Sequence, residues 1–301
     1  MKKISTKICF ICKVDAKTRV KKGSQFNECL HWHSDSETGD IWCWCQGKCK
    51  RGYSIYQYVA QAGLKLNEFL NGDFDFVEAK PNEVNQMNWP STFLPLSDPR
   101  SEEGVEYIRS RGLDIGDGMY FDTQRRGIVF PYYFENTFCG AQIRLINPWV
   151  DEDGCKQKID TMPGTRLGLL FYGWNQGRFL TNIRGLIVTE GAFNAIAIQQ
   201  ALDHAYGGVV NNPWKAIASS GTGISVHKME VLKEIKDQGI KVILAPDSDE
   251  AGLNMFKKCV NNKVISHYNF TSRDDMDWND VFNEIGKDKF AKHFLGSIKG
   301  V

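Results

Sequence analysis

The chain has 301 residues, 42% hydrophobic and 24% charged, with 37 basic against 36 acidic side chains. That balance suits a folded protein of two or three domains and excludes a disordered or fibrous one. No apolar run reaches about 18 residues, so no membrane-spanning helix is expected.

The charge is unevenly spread. Residues 1–60 carry eleven Lys or Arg against five Asp or Glu, an excess that suits a polyanionic partner. The first residues, Met1-Lys2-Lys3-Ile4-Ser5, have no apolar stretch behind them, so a cytoplasmic location is expected. Six of the nine cysteines fall between Cys9 and Cys49. Without a signal peptide, metal ligation is their expected use rather than disulfide bonding. Cys9-Phe10-Ile11-Cys12 is a C-x2-C knuckle, and Cys43-Trp44-Cys45-Gln46-Gly47-Lys48-Cys49 supplies a second. Residues 26–33 and 40–45 read as strands joined by a polar turn, so two knuckles flank a hairpin in the plan of a zinc ribbon. Cys9, Cys12, Cys45 and Cys49 are the expected ligands. The second knuckle is irregular, and Cys29, His31, His33 and Cys43 remain alternatives. A helix is expected to leave the module at Gly52. Trp32, Trp42 and Trp44 interleave with Lys48, Lys50 and Arg51, a mixture suited to stacking bases and contacting phosphates of a single strand.

Residues 61–100 hold Pro81, Pro90, Pro95 and Pro99 without a clear period and read as a linker. A helix is expected over residues 101–111, with Ser101 as its cap and Gly112 as its stop. Residues 127–134 and 138–146 read as a β-hairpin turning at residues 135–137. Arg125, Arg126, Arg144, Lys156 and Lys158 surround it and could line a groove for phosphates.

From residue 183 strands and helices alternate. Strands are expected at 185–190, 215–220, 241–245 and 263–270, and helices at 192–202, 225–238 and 250–259. The alternation predicts a parallel sheet with helices on both faces, whose sites form at the carboxyl ends of the strands. Glu190 lies at one such end, Asp247 and Asp249 at another, and Asp277 and Asp280 beyond a third. Asp247 and Asp249 are two apart and point the same way if extended. Carboxylates gathered there repel unless a cation lies between them, and Mg2+ suits an all-oxygen site.

Thr189-Glu190-Gly191, then Gly221-Thr222, then Asp247-x-Asp249-x-Ala251-Gly252, then Asp277-x-Asn279-Asp280 resembles the toprim domain. DnaG-type primases, type IA and II topoisomerases, some nucleases and recombination proteins share that domain. The ribbon in front selects DnaG-type primases, particularly compact phage-type members. Glu106-Tyr107-Ile108-Arg109-Ser110-Arg111-Gly112-Leu113, and Arg126–Pro131 with Gly140–Arg144, are similar to segments of their polymerase domain. The resemblance implies an α/β fold: a zinc-binding ribbon over 1–60, a linker over 61–100, a basic α+β subdomain over 101–182 and a Rossmann-like toprim unit over 183–301. It implies Glu190, Asp247 and Asp249 as catalytic metal ligands, with Asp277 and Asp280 as a further acidic group. Arg125, Arg126, Arg144, Lys156 and Lys158 would contact template or nucleotide. The implied activity is synthesis of short RNA primers from ribonucleoside triphosphates on single-stranded DNA. It would use structural Zn2+ and catalytic Mg2+ or Mn2+, with a replicative helicase acting in trans, in a bacterial or phage-infected cytoplasm. Asn194 stands where the family usually has Asp. The competing readings are a metal-dependent toprim nuclease and a non-catalytic zinc-ribbon adaptor that binds DNA.

Overall fold

The computed structural model describes residues 30–34, 41–45, 52–54, 58, 77–78, 84, 86–116, 118–151, 154–176, 183–221, 224–271 and 276–298. They fall into two units that divide between residues 83 and 84.

The first unit is a small sheet. Strands β1 (Leu30–Ser34) and β2 (Ile41–Cys45) pair antiparallel, from Leu30 opposite Cys45 to Ser34 opposite Ile41. This is the expected hairpin. Strand β3 (Gly52–Ser54) pairs with the outer side of β2, and β4 (Val77–Glu78) runs parallel to β1. In place of the helix expected to start at Gly52, the described residues Gly52–Ser54 form a strand. Tyr53 is a good strand former, and pairing at Cys43 satisfies backbone groups that β2 would otherwise leave open. Of the expected zinc ligands, Cys9, Cys12 and Cys49 lie outside the described residues, and Cys45 ends β2.

The second unit contains an antiparallel sheet and a parallel one. The antiparallel sheet has the order β5 (Phe93–Pro95), β6 (Tyr120–Asp122), β7 (Gly127–Phe134), β8 (Thr137–Val150), β9 (Lys156–Thr161), and β10 (Asn175–Gln176) adds parallel to the end of β7. The β7–β8 hairpin turns at Glu135 and Asn136, both at positive φ, the geometry whose twist matches the flanking strands. Strand β5 lies within the stretch expected to be linker. Phe93 and Leu96 are buried there, so the linker reading does not extend to residue 100. Prolines do not prevent an edge strand, because an edge has no ladder bond to lose on its outer side.

Helix α1 (Glu102–Ser110) follows a 3-10 turn at Pro99–Ser101. Ser101 precedes it as expected but makes no side-chain cap, because its hydroxyl donates to the Pro95 carbonyl at 3.0 Å. Gly112, at φ 70°, ends the segment. A side chain there would run into Asn283 as well as strain the backbone.

The parallel sheet has the order β12 (Trp214–Ala218), β11 (Gly185–Thr189), β13 (Lys241–Ala245), β14 (His267–Tyr268). Its register places Thr189 level with both Ala218 and Ala245, so three strands finish at one height. The fourth strand is shorter than expected, with two paired residues. Alternation along β11 and β13 sends side chains to two cores. Ile187 and Ile243 meet helices α2 (Ala192–Ala205), α5 (Trp278–Ile285) and α6 (Lys287–Ile298). Leu186, Val188, Val242 and Leu244 meet α3 (Val226–Asp237) and α4 (Glu250–Asn261) on the other face. The first core also takes in Ile108, Phe121, Ile128 and Phe130, so the antiparallel sheet and α1 pack on the same apolar mass. Among the described residues no helix is long and apolar enough to cross a membrane.

Candidate functional site: acidic groups at the strand ends

Three segments bring carboxylates to the level where β11 and β13 end. Glu190 follows β11 and is buried. Asp247 follows β13 after Pro246, and its own N–H donates to Glu190 Oε1 at 3.3 Å. Asp249 caps α4, accepting from the Gly252 N–H at 2.7 Å. Asp277 and Asp280 form a reciprocal capping box at the start of α5, in which Asp277 Oδ1 accepts from the Asp280 N–H at 2.8 Å.

Local packing fixes these positions. Trp278 is fully buried against Phe290 and Phe294, with ring centroids 5.9 and 5.2 Å away, and its indole N–H donates to the Ala245 carbonyl at 3.2 Å. The first turn of α5 is thereby fastened to the end of β13. After β12, the Ser219 and Ser220 N–H groups donate to the carbonyls of Thr189 and Glu190 at 2.8 and 2.9 Å. Buried Lys228 donates to the Ser219 carbonyl and holds that turn from below. Gly252 is needed for a steric reason. A Cβ there would collide with the Asp247 carbonyl and lie 2.7 Å from Glu190 Oε1.

Burial is the largest cause of unusual acidity here. It pushes Asp247 up to about 8, with the charges of Glu190, Asp277, Asp249 and Asp280 adding to it. It pushes Glu190 up to about 7, reinforced by Asp249 and opposed by the Asp247 N–H. Asp277 is also raised by burial and by Asp280, while backbone N–H groups and Arg111 pull it down. The charges of this group thus act on Glu190, Asp247 and Asp277, and backbone N–H groups and Arg111 offset them only in part. Among the described residues no three His, Cys, Asp or Glu side chains converge closely enough to enclose a metal ion as they stand. The fit lies in the donor chemistry: an all-oxygen, mutually repelling set, partly desolvated, is what a hard divalent cation relieves.

The expected cationic residues are placed differently from one another. Arg125 bridges buried Asp122 and Asp160, each at 2.8 Å, and Arg126 pairs with Glu103 at 2.6 Å. Arg144 donates to the Tyr107 hydroxyl at 3.4 Å. Lys156 and Lys158 are exposed on β9. Sequence reasoning places Arg111 and Asn279 within its motifs but gives neither a role at the site; they contact each other beside the acidic group. Arg111 is the last residue before the Gly112 stop, and nothing local marks it as different from Arg109.

Residues 187–282 match the family described as Toprim-like. No curated protein matches the chain. Among solved structures, the Aquifex aeolicus primase (zinc-binding and RNA polymerase domains) is 15% identical, covers 96% of this chain and 84% of its own, and has a TM-score of 0.48. The RNA polymerase domain of Mycobacterium tuberculosis primase DnaG is 16% identical, with 65% and 76% covered and a TM-score of 0.45. The primase fragment of the bacteriophage T7 primase-helicase protein is 16% identical, with 89% and 99% covered and a TM-score of 0.40.

Proposed function

We propose that this chain, whose residues 187–282 are toprim-like, is a DnaG-type primase that makes short RNA primers on single-stranded DNA. The observation that carries the reading is the unrelieved carboxylate group at the carboxyl ends of β11 and β13. Glu190, Asp247 and Asp249 would hold Mg2+, or Mn2+ in its place, with Asp277 and Asp280 as an outer acidic group. A divalent cation bound there supplies charge neutralisation for the triphosphate and lowers the pKa of an attacking hydroxyl.

The chain's own residues do the positioning. Gly252 keeps the floor of the site thin enough for Glu190 and Asp247 to lie side by side. Asp249 and Asp277 are held as the N-caps of two helices, the second within a reciprocal capping box with Asp280. Lys156 and Lys158 on the exposed strand suit contacts with template phosphates, which set register without reading sequence. Arg125 and Arg126 would reach nucleotide only by exchanging a carboxylate partner for a phosphate. Arg144 would join them in that contact. Cys9, Cys12, Cys45 and Cys49 would hold structural Zn2+ in the N-terminal ribbon, which would select the start site. A replicative helicase is the expected partner, in the cytoplasm.

The test supplies the purified chain with single-stranded DNA, four ribonucleotides and Mg2+. New oligoribonucleotides that depend on the template support the reading. Shortened DNA would replace it with a nuclease, and binding without either product would replace it with the adaptor.

A further inference from the structure

A chain of hydrogen bonds runs from α1 to the acidic group. The Arg111 guanidinium lies over the Phe193 ring, 4.7 Å from its centroid, and Arg111 Nε donates to the Tyr107 hydroxyl at 3.4 Å. Arg111 Nη1 donates to Asn279 Oδ1 at 2.8 Å, and Asn279 Nδ2 returns a bond to the Arg111 carbonyl at 3.1 Å. The Asn279 backbone N–H donates to Asn194 Oδ1 at 3.1 Å, and Asn194 Nδ2 donates to Asp247 Oδ1 at 2.9 Å. Asn194 and Asn279 are both buried.

The amide orientations are dictated. A backbone N–H can only donate, so the Asn194 oxygen must face Asn279 and its NH2 must face Asp247. The guanidinium can also only donate, which fixes the Asn279 amide in turn. A carboxylate at position 194 could still accept from Asn279 but would set an anionic oxygen against Asp247 Oδ1. Asn at this position therefore does two things: it removes one negative charge from the group, and it gives Asp247 a neutral donor that fixes its rotamer.

We infer that Arg111, Asn279 and Asn194 form a clamp that positions Asp247, so that a residue on the antiparallel-sheet side of the unit governs divalent-cation binding at the strand ends. Arg111 acts here as a positioning residue through two amides. Direct contact with nucleic acid is no part of this role. The inference rests on the reading of Asp247 as a metal ligand.

The experiment measures Mg2+ affinity by calorimetry on the full chain, without substrate, for the wild type and the R111M, N194A and double variants. Thermal melts confirm folding, and R111K is the conservative control. Loss of a partner that orients a metal ligand weakens binding by about 10-fold or more. R111M and N194A should each do so, the double variant should be no worse than N194A alone because both cut one chain, and R111K should recover part of the loss. In primer synthesis the R111M variant should lose turnover while its KM for template is unchanged. Wild type that binds Mg2+ while R111M binds it equally would overturn the clamp and leave the metal site standing. Wild type that binds no Mg2+ would overturn both. If R111M unfolds, R111K and N194A decide: both should bind Mg2+ more weakly than wild type, and wild-type affinity in both would overturn the clamp.

Discussion

The two sheets of the larger unit treat charge in opposite ways. In the antiparallel sheet, buried Asp122 is answered by Arg125, which also reaches Asp160, and Glu103 is answered by Arg126. In the parallel sheet, Glu190, Asp247, Asp249, Asp277 and Asp280 gather at the strand ends, and Arg111 bears on Asp277. Paired charges hold a scaffold together. Like charges brought together by a rigid scaffold raise its free energy, and that stored repulsion is what a cation or a charged substrate can release. The difference marks the unpaired carboxylates of the second sheet, rather than the paired charges of the first, as the candidate for metal chemistry.

Neutralising one charge in each half should therefore have effects of opposite sign. The largest expected effect is on activity. Asp247→Asn should reduce primer synthesis by about 1000-fold or more while raising the melting temperature of the metal-free protein, because it removes repulsion and keeps the shape. A variant that stays active would remove Asp247 from the metal site. Next comes Arg125→Met, which should destabilise the fold by about 3 kcal/mol by leaving Asp122 buried without its partner. Chemical denaturation reads this directly, and an unchanged midpoint would break the contrast between the halves. A smaller effect is expected at Lys156 and Lys158. Replacing both by Ala should weaken single-stranded DNA binding several-fold and lower the salt dependence by about one unit per lysine, without altering Mg2+ affinity. A salt slope equal to the wild type's would show that the template lies elsewhere.

Much of the parallel sheet was legible because its signals are local. Strand β13 spans the expected residues, since four apolar residues between Lys241 and Pro246 leave few alternatives. The β7–β8 hairpin is local for the same reason. What escaped the sequence is contact between distant residues. Arg126 looked available to phosphate because Glu103 is 23 positions away, and Arg111 looked ordinary because Asn279 is 168 positions away. Strand β5 escaped because prolines were read as breaks, whereas its pairing with β6 is set by tertiary packing. The expected zinc ligands Cys9, Cys12 and Cys49 lie outside the described residues, so metal analysis of the purified chain bears on them independently.

The central claim is that the strand-end carboxylates wait for a divalent cation, and stability against pH tests it most directly. Asp247 is raised from 3.8 to about 8 and Glu190 from 4.5 to about 7. Between those limits the folded chain holds protons that the unfolded chain has released, so their contribution to stability is complete below the lower values and lost as pH rises through the upper ones. The melting temperature of metal-free wild type, compared with Asp247→Asn, should fall between about pH 5 and pH 8.5, and Mg2+ should restore it increasingly as pH rises. Wild type and variant that track each other across this range, with no response to Mg2+ at the alkaline end, would contradict the account.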